Sequence, residues 1–272
     1  MKQHPTLLDN HLLTKIEDLQ KEYQQYNIDS IRTEAYESPP PLPIDQLLLD
    51  SFSSNDDSVK IIFDPTNLRA LAISDNMEAL LGYSIFDFNK YNTTLLYSVL
   101  DPKHLIFFSE VMRLAISNDI YKNKSIEKKF KLTMCGLKVQ LGNGKTERLL
   151  LRYTPHYFAE CNSSEIAIIT LNNISFMTKS DFCWGHVAYG KDYMFRNHII
   201  STDNKNHNSD IISYREKDVL TLITQGFESK EIGEKLFIST NTVEKHRKNM
   251  LARTGLRDTT ALVQISKMCG II

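Results

Sequence analysis

The sequence predicts an α+β unit with an antiparallel sheet, followed by an all-α unit of four helices. Between residues 58 and 173, short apolar runs alternate with turn sequences, which is typical of strands. From residue 211 onward, the apolar residues recur at helical spacing instead. The chain has 272 residues, which is enough for two domains with separate cores.

A helix is predicted within residues 1–36. Leu12, Ile16 and Leu19 recur at steps of four and three residues and form a narrow apolar strip. A strip of this width suits dimerisation with a helix of a second subunit, and packing on its own domain is an equal alternative. The stretch "ESPPPLP" ends the segment, because proline cannot continue a helix.

Residues 44–175 are predicted to form the sheet. Two short strands flank the turn sequence "DPTN", and a short helix follows from the capping residue Asp75 to Gly82. A longer helix opens with Asp101 and Pro102. Three more strands close the region, and "LGNGK" joins the first two of them as a hairpin.

This region resembles a PAS domain, a sensory fold of five antiparallel strands with helices over one face. The resemblance rests on the strand–turn–strand opening, on "NMEALLGY" from Asn76 to Tyr83, and on the three closing strands. It implies a small-molecule ligand or a protein partner at this domain. No cofactor is expected, because Cys135 lies in a predicted strand and not in the helical context of a flavin adduct.

Residues 176–208 are predicted to be an extension and a linker. The extension holds the only tryptophan, Trp184, and its alternating apolar residues fit a hairpin around Gly190. The stretch "STDNKNHNSD" has no apolar anchor and is interpreted as the linker between the two domains.

Four helices are predicted within residues 209–272, and "FIST" joins the second and third as a helix-turn-helix. On a helical wheel, Val243 and Met250 anchor one face of the third helix. The opposite face carries amide, carboxylate and ammonium groups, as a helix that reads base edges in the major groove requires. This face consists of Asn241, Glu244, Lys245, Lys248 and Ala252.

The segment from Arg215 to Val263 resembles the LuxR/FixJ-type DNA-binding domain almost from end to end. The resemblance is carried by Arg215, Glu216, Gly226, Lys230, Glu231, Ile232, Gly233, Leu236, Ile238, Ser239, Thr242, Val243, His246, Asn249, Met250 and Gly255. It implies a four-helix domain that binds double-stranded DNA and usually forms a homodimer through its last helix.

The resemblance also implies roles for single residues. Phosphate contacts fall on Lys230, Thr240 and Thr242, and base-facing positions on Glu244, Lys245 and Lys248. The full set of predicted DNA contacts is Lys230, Thr240, Asn241, Thr242, Val243, Glu244, Lys245, Arg247 and Lys248. The last helix offers Ala261, Leu262 and Ile265 as a dimer strip, and packing on the first helix is the alternative.

The distribution of charge, the cysteines and the absence of long apolar stretches indicate which classes of protein fit this sequence. From Lys205 to the end there are 11 basic and 8 acidic residues, although the whole chain has a net charge of −1. The four cysteines form no C-x-x-C pair, so reduced thiols and no metal site are expected. The N-terminus has no apolar signal core, and no stretch is apolar enough to span a membrane, so we expect a cytoplasmic protein.

These observations predict a transcriptional regulator with a PAS-like sensory domain, not an enzyme. "GNGK" lacks the frame of a phosphate loop, and no G-x-S-x-G motif is present. His104 and His156 have no nucleophile at a suggestive spacing and are interpreted as packed or surface residues, with a haem-binding or small-molecule-binding histidine in a PAS pocket as the alternative. The alternatives are a receiver domain phosphorylated on Asp64, a PAS module used only for protein interaction, and a sigma-factor-like role.

Overall fold

In the computed structural model, six strands form one sheet, and every strand pair is antiparallel. The structure describes residues 57–64, 69–84, 93–117, 130–157, 165–178, 183–189 and 211–272. The predicted helix with Leu12, Ile16 and Leu19 lies outside the described residues. The strands are β1 (Ser58–Asp64), β2 (Arg69–Ile73), β3 (Phe130–Gln140), β4 (Thr146–Tyr157), β5 (Glu165–Asn173) and β6 (Trp184–Tyr189).

The order of strands across the sheet is β2-β1-β5-β4-β3-β6. The hairpin predicted at "LGNGK" joins β3 and β4, with Gly144 at a positive φ of 82°. We predicted five strands and a domain limit at residue 175, whereas β6 continues the sheet as a sixth strand beside β3. The side chain of Trp184 explains why this strand joins the sheet, because it is buried between the sheet and the C-terminal helices.

Among the described residues, three helices precede the long strands and cover one face of the sheet. They are α1 (Met77–Leu81), α2 (Thr93–Ser98) and α3 (Pro102–Ser117). Strand residues alternate between the two faces, so Leu149, Leu151 and Tyr153 of β4 pack toward these helices. His104 of α3 is buried and its Nδ1 accepts the Lys138 amide hydrogen at 2.7 Å, which gives this histidine a structural role.

The motif from Asn76 to Tyr83 fastens α1 to the sheet. Asn76, and not Asp75 as predicted, is the capping position, and its Nδ2 donates to the Ser58 carbonyl oxygen at 2.8 Å. Gly82 ends the helix in the left-handed conformation, with φ at 74°. A side chain there would meet the backbone of Gly142 in the β3–β4 hairpin at 3.0 Å, so glycine is required twice over.

The C-terminal part has the four helices that the sequence predicts. Ser213 and Glu216 form a capping box at the N-terminus of the first helix. Asp258 caps the N-terminus of the last helix by accepting the Ala261 amide hydrogen at 2.8 Å. The helices are α4 (Tyr214–Thr224), α5 (Ser229–Leu236), α6 (Thr240–Thr254) and α7 (Thr259–Met268).

The observed topology bears on the receiver alternative. A receiver requires strands that alternate with helices, whereas β1 and β2 are adjacent antiparallel strands. Asp64, the proposed phosphoacceptor, is the buried last residue of β1, and its backbone lies opposite that of Arg69 in β2. Asp64 therefore lies in a strand beside a second strand, which does not fit the alternation of strands and helices in a receiver.

Candidate DNA-binding surface and internal cavity

The turn between α5 and α6 fixes the angle of a helix-turn-helix. Gly233 of α5 lies so close to this turn that an added Cβ would be 2.7 Å from the Ile238 carbonyl oxygen. The Ile238 amide donates to the Gly233 carbonyl oxygen at 2.9 Å, and Phe237 ends α5 with a positive φ of 55°. Only glycine permits this approach of α6 to α5, which explains the value of Gly233 to the motif.

The exposed face of α6 agrees with the wheel prediction. Val243 and Met250 are fully buried and hold the helix on the core of the domain. His246 and Arg247 lie at the border and are half-buried. The exposed residues of α6 are Thr240, Asn241, Glu244, Lys245, Lys248 and Ala252.

One predicted contact is corrected by burial. Val243 was included in the predicted DNA-contact set, but its side chain has 0% exposure. A side chain enclosed by the domain core cannot touch a base edge, so Val243 positions the helix. Lys230 and Thr240 are exposed, as phosphate contacts must be.

Glu244 and Arg247, two further predicted DNA contacts, take part in a hydrogen-bond network between α5 and α6. The Ser229 hydroxyl donates a short hydrogen bond to the Glu244 carboxylate, and Arg247 Nη1 donates to the same hydroxyl oxygen at 2.8 Å. Glu244 is therefore held by its own chain, and a cytosine amino group would have to compete with Ser229 for it. The wheel could not reveal this, because Ser229 lies on a different helix.

The N-terminus of α6 is capped within the chain. Ser239 Oγ accepts the Thr242 amide hydrogen at 3.1 Å and lies 2.9 Å from Thr242 Oγ1. We predicted that Thr242 contacts phosphate. Its amide is already used by the cap, and its hydroxyl is shared with Ser239, so a phosphate would have to compete with Ser239 for this hydroxyl.

The predicted dimer strip of α7 is buried within the single chain. Ala261, Leu262 and Ile265 are 3%, 0% and 1% exposed and belong to one apolar cluster with Val219 and Leu220 of α4. This is the packing alternative that the sequence left open. A dimer that used these three side chains would first have to uncover them.

The sheet and the C-terminal helices share a core, which the sequence did not predict. Cys135, Leu150 and Trp184 on the face of the sheet opposite α3 pack in the same cluster as Val243 and Met250. Trp184 Nε1 donates to the Thr254 carbonyl oxygen at 3.2 Å, at the end of α6. Two further hydrogen bonds join the sheet to the C-terminal helices. The Arg257 amide donates to the Met177 carbonyl oxygen at 2.8 Å, and Arg152 Nη1 donates to the Met268 carbonyl oxygen at 3.3 Å.

An apolar cavity lies on the other face of the sheet, among β4, β5 and the helices α1 and α2. Its walls include Phe63, Met77, Leu95, Leu149 and Leu171. The cavity has a volume of about 80 Å³. Among the described residues that line it, none carries a formal charge, and the polar side chains are Tyr83, Tyr97, Gln140 and Tyr153.

The described residues hold no cluster of three or more potential metal ligands. Cys135, Cys183 and Cys269 are free thiols there, and burial raises the pKa of Cys269 to about 12. Within the same part of the chain, none of the helices has both the length and the apolar character needed to span a membrane.

Comparison with known proteins decides the class of the C-terminal helices. Residues 210–266 match the family model described as GerE, bacterial regulatory proteins of the luxR family. The C-terminal domain is a LuxR-type helix-turn-helix domain. The match confirms the sequence resemblance over this segment, which contains α4, α5, α6 and most of α7.

Curated relatives match over a short part of the chain. The oxygen regulatory protein NreC of Staphylococcus aureus, strains JH9 and JH1, is 44% identical over 54 residues. These residues are 20% of this chain and 25% of NreC. The match therefore spans about a quarter of the length of these relatives.

Two solved structures that align over most of the chain superpose loosely. A VqmA dimer of Vibrio cholerae is 11% identical with a TM-score of 0.32, over 83% of this chain and 88% of VqmA. SdiA of Escherichia coli is 13% identical with a TM-score of 0.24, over 68% of this chain and 98% of SdiA.

Proposed function

We propose that this protein is a cytoplasmic transcriptional regulator, without enzymatic activity, that binds double-stranded DNA as a homodimer. The observation that carries the proposal is the exposed face of α6, where Asn241, Lys245 and Lys248 project from a helix set by a LuxR-type turn. Amide and ammonium groups are suited to purine edges.

In this proposal, α6 enters the major groove, and Lys230 and Thr240 fix its register on the phosphates. Lys245 and Lys248 supply the base contacts, and Asn241 lies at the N-terminal end that penetrates deepest. Glu244 and Arg247 hold α6 on α5 through Ser229. Two subunits would read half-sites about one helical turn apart.

We propose further that the N-terminal sheet is a PAS-like sensory domain. Antiparallel strands with helices over one face, an apolar cavity on that face and a shared core with the DNA-binding domain on the other support this role. Neighbouring residues of β4 face opposite ways: Leu149 lines the cavity, and Leu150 packs with the helix-turn-helix domain. A ligand that shifts β4 would therefore act directly on the DNA-binding domain.

Replacing Lys248 with alanine tests the base-reading face. We expect binding to a selected specific DNA fragment to weaken by about 1–3 kcal/mol, since a good base contact is lost. Fluorescence anisotropy with the full chain measures it. Lys267→Ala removes the same charge from the exposed side of α7 and is the matched control. Equal losses in the two variants would show that Lys248 contributes only general attraction.

Replacing Lys230 with alanine tests the phosphate contact from α5. We expect binding to specific and unrelated DNA to weaken alike, and the slope of log affinity against log salt to flatten by about one unit. Titrations at several salt concentrations measure the slope. An unchanged slope would remove Lys230 from the phosphate contacts.

A further inference from the structure

Glu244 differs from the other polar side chains on the exposed face of α6 because the protein itself holds it. Its carboxylate accepts a hydrogen bond from the Ser229 hydroxyl of α5. The structure shows no hydrogen bond or ion pair between any described residue and the side chains of Asn241, Lys245 and Lys248. The amide and the two ammonium groups are thus available to DNA, whereas the carboxylate is already engaged.

The direction of each hydrogen bond in this network follows from the chemistry of its members. The Arg247 guanidinium can only donate, and its Nη1 donates to Ser229 Oγ at 2.8 Å. The single hydrogen of the Ser229 hydroxyl is then left for Glu244, whose ionised carboxylate can only accept. Because a cation polarises the hydroxyl, Arg247 strengthens the hold of Ser229 on Glu244.

This network draws the Glu244 side chain toward α5. In a helix-turn-helix, the first helix crosses the DNA backbone while the second enters the major groove. A carboxylate can accept a hydrogen bond from the N4 amino group of cytosine, so a released Glu244 would be a group that reads a base. The bond to Ser229 therefore bears directly on which bases α6 distinguishes.

We propose that Ser229 is a specificity-determining residue that keeps Glu244 from reading bases. Held against α5, the carboxylate is turned away from the base edges, and the half-site is read by Asn241, Lys245 and Lys248. The DNA that this protein prefers then presents purine acceptors to α6, without a requirement for cytosine opposite Glu244. The inference deepens the proposed DNA-binding function and rests on it.

The experiment compares base preferences instead of overall affinities. A selected specific DNA fragment is varied one base pair at a time and titrated by fluorescence anisotropy with the full chain and its variants. Ser229→Ala releases Glu244, and we expect a new preference for cytosine of about tenfold at one base pair, the value of one net hydrogen bond. The double variant Ser229→Ala/Glu244→Ala should lose this preference, because the accepting group is gone.

Two single variants separate positioning from folding. Ser229→Thr keeps a hydroxyl and should keep the base preferences of the wild type. Glu244→Ala alone should change the affinity for every fragment by the same factor. A cytosine preference of the wild type that disappears in Glu244→Ala would overturn the proposal, because Glu244 would then read a base in spite of Ser229. Base preferences of Ser229→Ala equal to those of the wild type would overturn it as well.

The contact between Ser229 and Glu244 and the proposed DNA binding can fail separately. A wild type that binds no fragment more tightly than unrelated DNA would overturn the proposed function, and the specificity role with it. Urea unfolding of the two alanine variants and the double variant tests the contact without DNA. Effects of the two substitutions that simply add would show that Ser229 does not hold Glu244 in solution.

Discussion

Trp184→Ala is expected to lower the free energy of unfolding by about 3–5 kcal/mol, one of the two largest effects that we predict. Trp184 is 1% exposed and is among the largest fully buried side chains of the described residues. It belongs to the cluster that joins the sheet to the helix-turn-helix domain, and its Nε1 bonds Thr254. Its loss would leave a cavity at this junction and an unpaired carbonyl oxygen at the end of α6.

The measurement is urea unfolding of the full chain, followed by separate probes of helix and sheet. We expect one cooperative transition in the wild type and two in Trp184→Ala, because the domains no longer share a complete core. Trp184→Phe is the matched control: it keeps an aromatic ring and should cost much less. A loss below about 1 kcal/mol in Trp184→Ala would mean that the junction does not form in solution.

Glu216→Ala should destabilise the helix-turn-helix domain by about 3 kcal/mol, because it breaks a buried ion pair and a capping box together. Glu216 is 3% exposed, and its Oε2 accepts from the Ser213 amide and hydroxyl at 2.9 Å each. Arg253 of α6 donates a short hydrogen bond to the same oxygen. Since Arg253 is about one-third exposed, we place the effect at the lower end of the range for buried pairs.

The same carboxylate makes stability depend on pH. Burial by itself would raise the pKa of Glu216, but the hydrogen bonds from Arg253 and Ser213 outweigh burial and lower it. A carboxyl whose pKa is lower in the folded state stabilises fully above its ordinary value and loses this contribution as the pH falls through the folded value. We therefore expect the free energy of unfolding of the wild type to decrease as the pH falls below about 4.5. The part of this decrease that comes from Glu216 should be absent in Glu216→Gln.

The chain provides a matched control for Glu216. Glu231 occupies the same position of the capping box of α5, where its Oε2 accepts the Glu228 amide hydrogen at 2.8 Å. Glu231 is exposed, so Glu231→Ala should cost only about 1 kcal/mol. Equal losses in both alanine variants would show that the pair with Arg253 contributes little, and chemical unfolding at pH 7 measures the difference.

Local patterns predicted most of the secondary structure. The boundaries of α6, from the cap at Ser239 to the left-handed Gly255, are those that the Ser and Gly positions indicate. The exposed face of α6 also follows from helical spacing, because a helix whose Val243 and Met250 are buried must expose the residues opposite them. Capping and periodicity act over a few residues, and a sequence carries them directly.

What the sequence left open concerns contacts between distant segments. It could not show that Ser229 holds Glu244 or that Ala261, Leu262 and Ile265 are enclosed within one chain. The pairing of the strand Trp184–Tyr189 with β3 and the apolar cavity beside the sheet were likewise hidden, since periodicity does not specify which surfaces meet.

The sequence by itself thus determined the element types, the helix-turn-helix and the charged face of its second helix. The tertiary structure alone decided that the sheet has a cavity on one face and the DNA-binding domain on the other. The physical reason is that apolar burial is not directional. It requires that Leu150 and Trp184 be covered, but only the three-dimensional packing selects the α6–α7 region as the cover.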